Sequence, residues 1–361
     1  MKNGLKRLAA SVVISVLLTG ILASVGLSNG RRTDGVYYEA TGIHPDAELI
    51  EVNGEIISAE EYFYWLDYVC GYLTASAGGK LDLSAPLSEN ATYADYAKMD
   101  ALNTVMLRAS ISSWAKEAGI ELDEKDQKEL DKQRQEYIDY YGGEEGYHNE
   151  LQVLGVSEEQ LMRIESAPMI YTHVQEAFTT PKGVLYPGDE AVEDYGKEHG
   201  FVTARLLYFA TAGMDESAAG DVKDKAESYA KRLHKAKDTE KTYEKLAKEL
   251  ELHTDPKGLT IQPGTSDPMV CEAISKLKVG EVSGVIQGQT GFYVAVRMPL
   301  DLDSVSVELY NSVLQERTQS VKMDINRSLY QQIDPASFYQ KLGEARTSLR
   351  QELTKNSDQD S

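Results

Sequence analysis

"AELIEVNGEIISAEEYFYWLDYVC" occupies residues 47–70. Leu49, Ile50 and Val52 read as a short strand, Asn53-Gly54 is a strong two-residue hairpin signal, and Ile56-Ile57 returns. Ser58 stands where a helix N-cap belongs, with Glu61 three residues on in the spacing of a reciprocal capping box. In the helix that follows, Tyr62, Leu66, Val69 and Leu73 share one face, while Tyr64, Tyr68 and Tyr72 recur every four positions on its neighbour. Such a helix has almost no polar side left for water, so it predicts a bundle that wraps it.

The sequence on either side supplies a leader and the bundle. Lys2, Lys6 and Arg7 precede Leu8–Leu27, twenty positions without a charge. A cleaved signal has an apolar run of about 7–15 residues, so this length points to an uncleaved anchor, while Ala23, Ser24 and Gly26 leave cleavage open. The basic residues place Met1 in the cytoplasm and everything after residue 30 outside. Residues 1–30 thus read as a signal peptide or membrane anchor, and residues 31–46, polar and glycine-bearing, as a linker.

Beyond the aromatic helix, helices are expected over Tyr93–Ala118, from Asp123 to Gly142-Gly143, from Ser157 to about Phe178 with a bend at Pro168, and from Asp189 to Gly200. Ser157 and Gln160 repeat the capping-box spacing. At Phe201 the pattern changes. Residues 202–209 read as a strand, 217–252 as two charged helices, 268–277 as a helix, and 284–287 and 292–298 as two strands, an α+β unit. A long helix is expected from Asp303 to about Gln332, stopped by Asp334-Pro335, with a charged tail over 334–361. The reading is an α+β multidomain protein, with a helical module over 47–199 completed by 301–333 and a mixed module at 200–300 between them.

Charge and composition exclude several classes. The net charge is −21, and residues 1–30 carry three positive charges and no negative ones, so the remainder carries −24. Nucleic acid is therefore a poor partner. Cys70 and Cys271 are too few and too far apart for a disulfide scaffold. His44, His148, His173, His199, His234 and His253 show no metal-ligand spacing, so no metal and no cofactor are expected. No nucleophile elbow or phosphate-binding loop occurs, and Asn90-Ala91-Thr92 matches a glycosylation sequon, a frequent accidental pattern.

Three motifs in order carry a resemblance: Val52-Asn53-Gly54 through Ile57-Ser58 to Glu61-Tyr62, Ala115 through Gly119-Ile120 to Asp123, and Gly155-Val156-Ser157 to Leu161. A fourth, Leu277 through Gly280-Glu281-Val282-Ser283, lies in the mixed module. With these the chain resembles the extracytoplasmic parvulin-type foldases, the PrsA and SurA-like proteins, over nearly everything after residue 47. The resemblance implies a helical chaperone module that binds non-native exported polypeptides and an inserted PpiC-type domain that isomerises X-Pro bonds.

The family's isomerase site does not carry over whole. Its first-strand histidine falls on Leu206 and its last-strand histidine on Tyr293. The Cys or Asp position falls at His253 or Asp255, and the proline-pocket Met and Phe fall on Ser266 and Val270, with a three-residue slip restoring Met269. Three readings follow: a foldase that chiefly holds unfolded chains, an isomerase acting through Tyr293, Met269 and Asp255, and a docking module for one partner. Tyr64, Tyr68, Tyr72, Tyr137, Tyr140 and Tyr141 are the client-binding candidates, since tyrosine offers apolar area and a hydroxyl with few rotors to freeze.

Overall fold

The structure is a computed structural model that describes residues 22–23, 27–264 and 266–359. Most of the apolar run Leu8–Leu27, and with it the expected signal peptide or anchor, lies outside the described residues. The chain divides into two compact units, Met1–Val174 with Val313–Ser361, and Gln175–Ser312. It is an α+β protein.

In the first unit the hairpin forms as its sequence predicts. Strands Glu48–Val52 and Glu55–Ser58 pair antiparallel with Val52 opposite Glu55. Asn53 and Gly54 take φ of 51° and 84°, the left-handed pair that a tight hairpin turn requires. Met323–Ile325 adds on the other side of Glu48–Val52, and the backbone of Leu22–Ala23 runs parallel to it. Asn53 fixes this third strand through both its amide, donated to Lys322 O at 2.9 Å, and its Oδ1, which accepts from Lys322 N at 3.0 Å.

The helix Ala59–Ser76 follows at once. The Ser58 hydroxyl accepts from Glu61 N at 3.2 Å, which is half of the expected box. The Glu61 carboxylate turns inward instead, to within 3.7 Å of Arg108 Nε and 3.6 Å of Arg163 Nη2. Ser157 behaves likewise: its hydroxyl accepts from Gln160 N, while its own amide donates to Glu60 Oε1 at 2.6 Å. At Ser58 the Glu61 carboxylate that could have closed a local cap thus serves long-range contacts instead.

Helices Tyr93–Ala118, Glu124–Tyr140 and Glu158–Thr179 lie where the pattern puts them. Gly119 ends the first in the left-handed conformation (φ 67°) that a residue with a Cβ resists. A further helix, Glu144–Leu154, fills the stretch after Gly143. Tyr62, Phe63, Leu66, Ala101, Leu102 and Val105 join a single buried core.

Both ends of the folded part differ from the reading of the sequence. Residues 31–46 are not a free linker, because they contain the helix Val36–Thr41, whose Val36, Tyr37 and Ala40 are buried in the core. The long helix from 302 ends at Gln319 so that Met323–Ile325 can join the hairpin sheet. Residues 334–361 are not a tail. Pro335 opens the helix Pro335–Gln359, and Phe338, Leu342 and Ala345, at helical spacing, are buried in the same core. Arg346 holds this helix in place by donating to the carbonyls of Val153 (2.7 Å) and Leu154 (3.0 Å) and pairing with Asp67 at 2.9 Å.

The second unit is built on a four-stranded antiparallel sheet in the order Leu259–Ile261, Val202–Ala210, Gly291–Met298, Ile286–Gln287. Its first strand, Leu259–Ile261, lies in a stretch that the sequence reading passed over. Leu207, Phe209, Phe292 and Val294 lie on one face with buried residues of the helices Glu216–His234 and Thr239–Glu249, such as Leu233 and Leu246. The helix Pro268–Ser275 covers part of the opposite face through Val270, Cys271 and Ile274. Asp189–Glu198 packs apart from the sheet through Val192, Phe201 and Val305.

Candidate functional site

The register of the two long strands decides what stands together in the second unit. Leu206 pairs with Ala295, Tyr208 with Tyr293, and Ala204 with Arg297. Because strand side chains alternate, these six share the face that carries the helix Pro268–Ser275. Leu206, Tyr293 and Val270 thus meet in one apolar cluster, with Leu206 and Tyr293 half-buried at its margin.

Two other mapped positions face solvent. Met269 is 59% exposed, because the helix that buries Val270 turns its neighbour outward. Asp255 is exposed and shapes a turn, its Oδ1 accepting from Lys257 N at 2.8 Å and its carbonyl from Gly258 N. That turn is tied through Pro256 O to Arg205, on the opposite face of the sheet from Leu206 and Tyr293. His253 is exposed as well.

Tyr293 has instead a partner that the motif comparison passes over. The Tyr208 and Tyr293 rings lie 4.9 Å apart at 31°, and both hydroxyls approach Thr290. Tyr208 Oη is 3.0 Å from Thr290 O and 3.1 Å from its Oγ1, and Tyr293 Oη is 3.4 Å from the same Oγ1. Asp267 braces this end of the sheet by accepting from Met269 N at 3.0 Å and from Gln289 N. Gly288 is required here, since a Cβ would stand 2.7 Å from the Tyr293 ring. The period-two alternation from Leu206 was the signal that could have found Tyr208. The surface offers tyrosine rings and hydroxyls beside aliphatic groups: it can seat a flat apolar ring and donate a hydrogen bond to a carbonyl.

In the first unit the six candidate tyrosines separate into three groups. Tyr64 and Tyr137 face inward around Glu165, with Tyr137 Oη 3.4 Å from Glu165 Oε1. Burial, reinforced by the Glu165 charge, pushes both phenols up to about 12. Burial also raises Glu165, against the Tyr137 hydrogen bond. Tyr140 is 81% exposed and meets Tyr141 edge-on at 5.0 Å. Tyr68 is half-buried against Trp65 of its own helix and Tyr72 is 59% exposed, while on the helix Tyr93–Ala118 Tyr96 is 37% and Met99 46% exposed. Tyr96 and Met99 escaped the sequence reading because one follows a capping box and the other interrupts no pattern.

Asp123, Asp126 and His173 place three potential ligand atoms within 4.8 Å of one another, a constellation that the 47-residue separation of Asp126 and His173 hid. Their bonds are structural. Asp123 and Asp126 form a reciprocal cap on Glu124–Tyr140, and His173 Nε2 lies 2.6 Å from Asp126 Oδ2. Those hydrogen bonds hold the Asp126 carboxyl below its usual range. Among the described residues no helix is long and apolar enough to cross a membrane.

Comparison with known proteins adds a family to this geometry. Residues 189–298 match the PPIC-type PPIASE domain. No curated protein matches the chain. Among solved structures, the foldase protein PrsA from Streptococcus pneumoniae is 20% identical, with 73% of this chain and 94% of that one covered at a TM-score of 0.21. PrsA from Bacillus subtilis is 16% identical, with 85% and 93% covered at 0.24. A SurA-like chaperone from Campylobacter jejuni is 13% identical, with 77% and 98% covered at 0.23. Likeness of that degree leaves the chemistry and the arrangement of the units to this chain's own residues. The family match falls on the sheet, its covering helices and the Tyr208–Tyr293 face, so residues 189–298 carry a PPIC-type rotamase domain.

Proposed function

We propose that this protein is an extracytoplasmic folding factor whose helical module holds non-native segments of exported polypeptides, alongside a PPIC-type domain that presents an apolar, tyrosine-lined face to the same clients. The observation that carries the reading is the exposed cluster of Tyr72, Tyr96 and Met99 on a pair of packed helices. Large apolar side chains displayed together on an otherwise highly charged surface mark an interaction site, and tyrosine suits loose binding of varied sequences. A charge of −24 outside the leader keeps such a holder from aggregating with what it holds. The leader, with Lys2, Lys6 and Arg7 before its apolar run, supports export with the N-terminus retained at the membrane. The names of the structural relatives, foldase and chaperone, agree with this role.

Titrating the full chain with a fluorescently labelled, permanently unfolded polypeptide tests the proposal. Saturable binding that weakens on Tyr72→Ser supports it, and no binding at micromolar protein contradicts it.

The Tyr208–Tyr293 pair favours a second reading, in which the PPIC-type domain still isomerises X-Pro bonds. The barrier is a twisting amide of about 18–20 kcal/mol, which needs no covalent intermediate. A site that grips proline on an aromatic ring and excludes water from the twisted carbonyl lowers it without histidine. Acceleration of a proline-limited refolding reaction that is lost in Tyr293→Ala would establish this reading.

A further inference from the structure

Both tyrosines of the sheet face reach one residue, Thr290, in the turn between Ile286–Gln287 and Gly291–Met298, and that turn is pinned from several sides. Gly288 N donates to Gly291 O at 2.8 Å, and Thr290 O accepts from Thr211 N at 3.1 Å. Gln289 N donates to the carboxylate of Asp267, which is also the N-cap of Pro268–Ser275, so one side chain ties the covering helix to the turn. A Cβ on Gly288 would stand 2.6 Å from Asp267 Oδ2 and 2.7 Å from the Tyr293 ring. Carboxylate, turn and ring therefore follow one another without a gap, and the Tyr208 ring completes the series 4.9 Å from that of Tyr293.

The two phenol hydroxyls are not equivalent. Tyr208 Oη lies 3.0 Å from Thr290 O and 3.1 Å from its Oγ1. A phenol has a single proton to give, so that of Tyr208 is committed to Thr290 whichever oxygen takes it. Tyr293 Oη meets Thr290 Oγ1 at 3.4 Å, beyond the range of a good O–H···O bond. Its proton can pass to an incoming acceptor at little cost. We propose that Tyr293 is the residue of this face that donates to a client's backbone carbonyl, and that Asp267, Thr290 and Tyr208 are positioning residues that fix its ring and hydroxyl. The proposal rests on the reading that the PPIC-type domain presents this face to clients, and it assigns the roles within it.

The test is an NMR titration of the full chain, labelled in its tyrosine rings, with an unstructured peptide that contains one Ala-Pro bond. The peptide is expected to shift the Tyr293 ring signals, and Tyr293→Phe, which removes one oxygen and keeps the ring, should weaken binding about fivefold. Asp267→Ser separates positioning from capping, because serine still caps the helix but has one oxygen in place of two. It should move the Tyr208 and Tyr293 signals in the free protein and weaken binding about threefold. Asp267→Asn, with an acceptor of the original reach, should recover part of that loss, and it decides the matter if the serine variant does not fold. Unchanged binding in Tyr293→Phe overturns the donor assignment. Weaker binding in Tyr208→Phe with the Tyr293 signals unmoved overturns it in favour of Tyr208. Unmoved ring signals and unchanged binding in both Asp267 variants overturn the positioning role. A peptide that shifts neither ring in the unaltered protein overturns the proposal together with the client-facing reading of this domain, whereas ring shifts without the Tyr293→Phe effect overturn the proposal alone.

Discussion

Phe63 and Phe338 stack with ring centroids 5.2 Å apart at an interplanar angle of 22°, joining the first long helix of the chain to the last. Tyr37 packs on both, at 5.6 Å from Phe63 and 6.1 Å from Phe338. The helical unit is therefore closed by its two ends, and its stability depends on residues 335–359 as much as on the hairpin.

Phe338→Ala should cost about 3–5 kcal/mol, the range for deleting a buried aromatic. Denaturant unfolding of the full chain checks this, and a loss under 1 kcal/mol would mean that the final helix is not part of the core.

Arg346→Ala removes two hydrogen bonds to the carbonyls of Val153 and Leu154 and leaves Asp67 unpaired. A loss of about 2–3 kcal/mol is expected for a charged donor taken from buried acceptors. The Asp67 carboxyl is already raised by burial, against the pull of Arg346, so the variant should raise it further, measurable by carboxyl NMR titration.

Asp100→Asn should stabilise the protein at neutral pH. Its carboxyl is raised in the folded chain, so its favourable contribution is fully present below the unfolded value of about 3.9 and is lost as pH rises through the folded value. The variant should gain about 1–3 °C in Tm at pH 7 and nothing at pH 3. A drop in Tm at pH 7 would show that Asp100 has a partner inside the protein.

Arg232 meets Glu249 with two hydrogen bonds, 2.8 and 2.9 Å, across the helix pair that covers the sheet. The Arg232 hydrogen bonds lower the Glu249 carboxyl to about 2, against a small desolvation. A depressed carboxyl contributes stability above its unfolded value, which is lost as pH falls through the folded one. Arg232→Gln should return Glu249 to the ordinary glutamate range, and an unchanged titration would remove the pairing from the account.

The hairpin, the helix Tyr93–Ala118 and the strand beginning at Val202 were legible because each has local punctuation: Asn53-Gly54, Gly119, and a run of alternating apolar residues. The C-terminal helix was not. Asp334-Pro335 reads as a break, yet Asp334 caps the helix by accepting from Ser337 N at 2.9 Å, and proline at the first helical position has no amide to lose. The charged residues around Phe338 and Leu342 concealed a narrow apolar stripe. Short elements such as Leu259–Ile261 and Met323–Ile325 carry too few residues for a periodicity and are made by their pairing partners. The candidate sites were legible in part for the same reason. Spacing found Tyr72 and motif order found Tyr293, but only strand register brings in Tyr208.

The central claim is that this protein holds unfolded clients through its helical module. One aggregation-prone client with a proline-limited refolding step, assayed with the full chain for both aggregation and refolding rate, tests it most directly. The account predicts suppressed aggregation at near-equimolar protein, weakened in a Tyr72→Ser/Tyr96→Ser double variant. Faster refolding at catalytic amounts, with aggregation unaffected by the protein or by those substitutions, would contradict it.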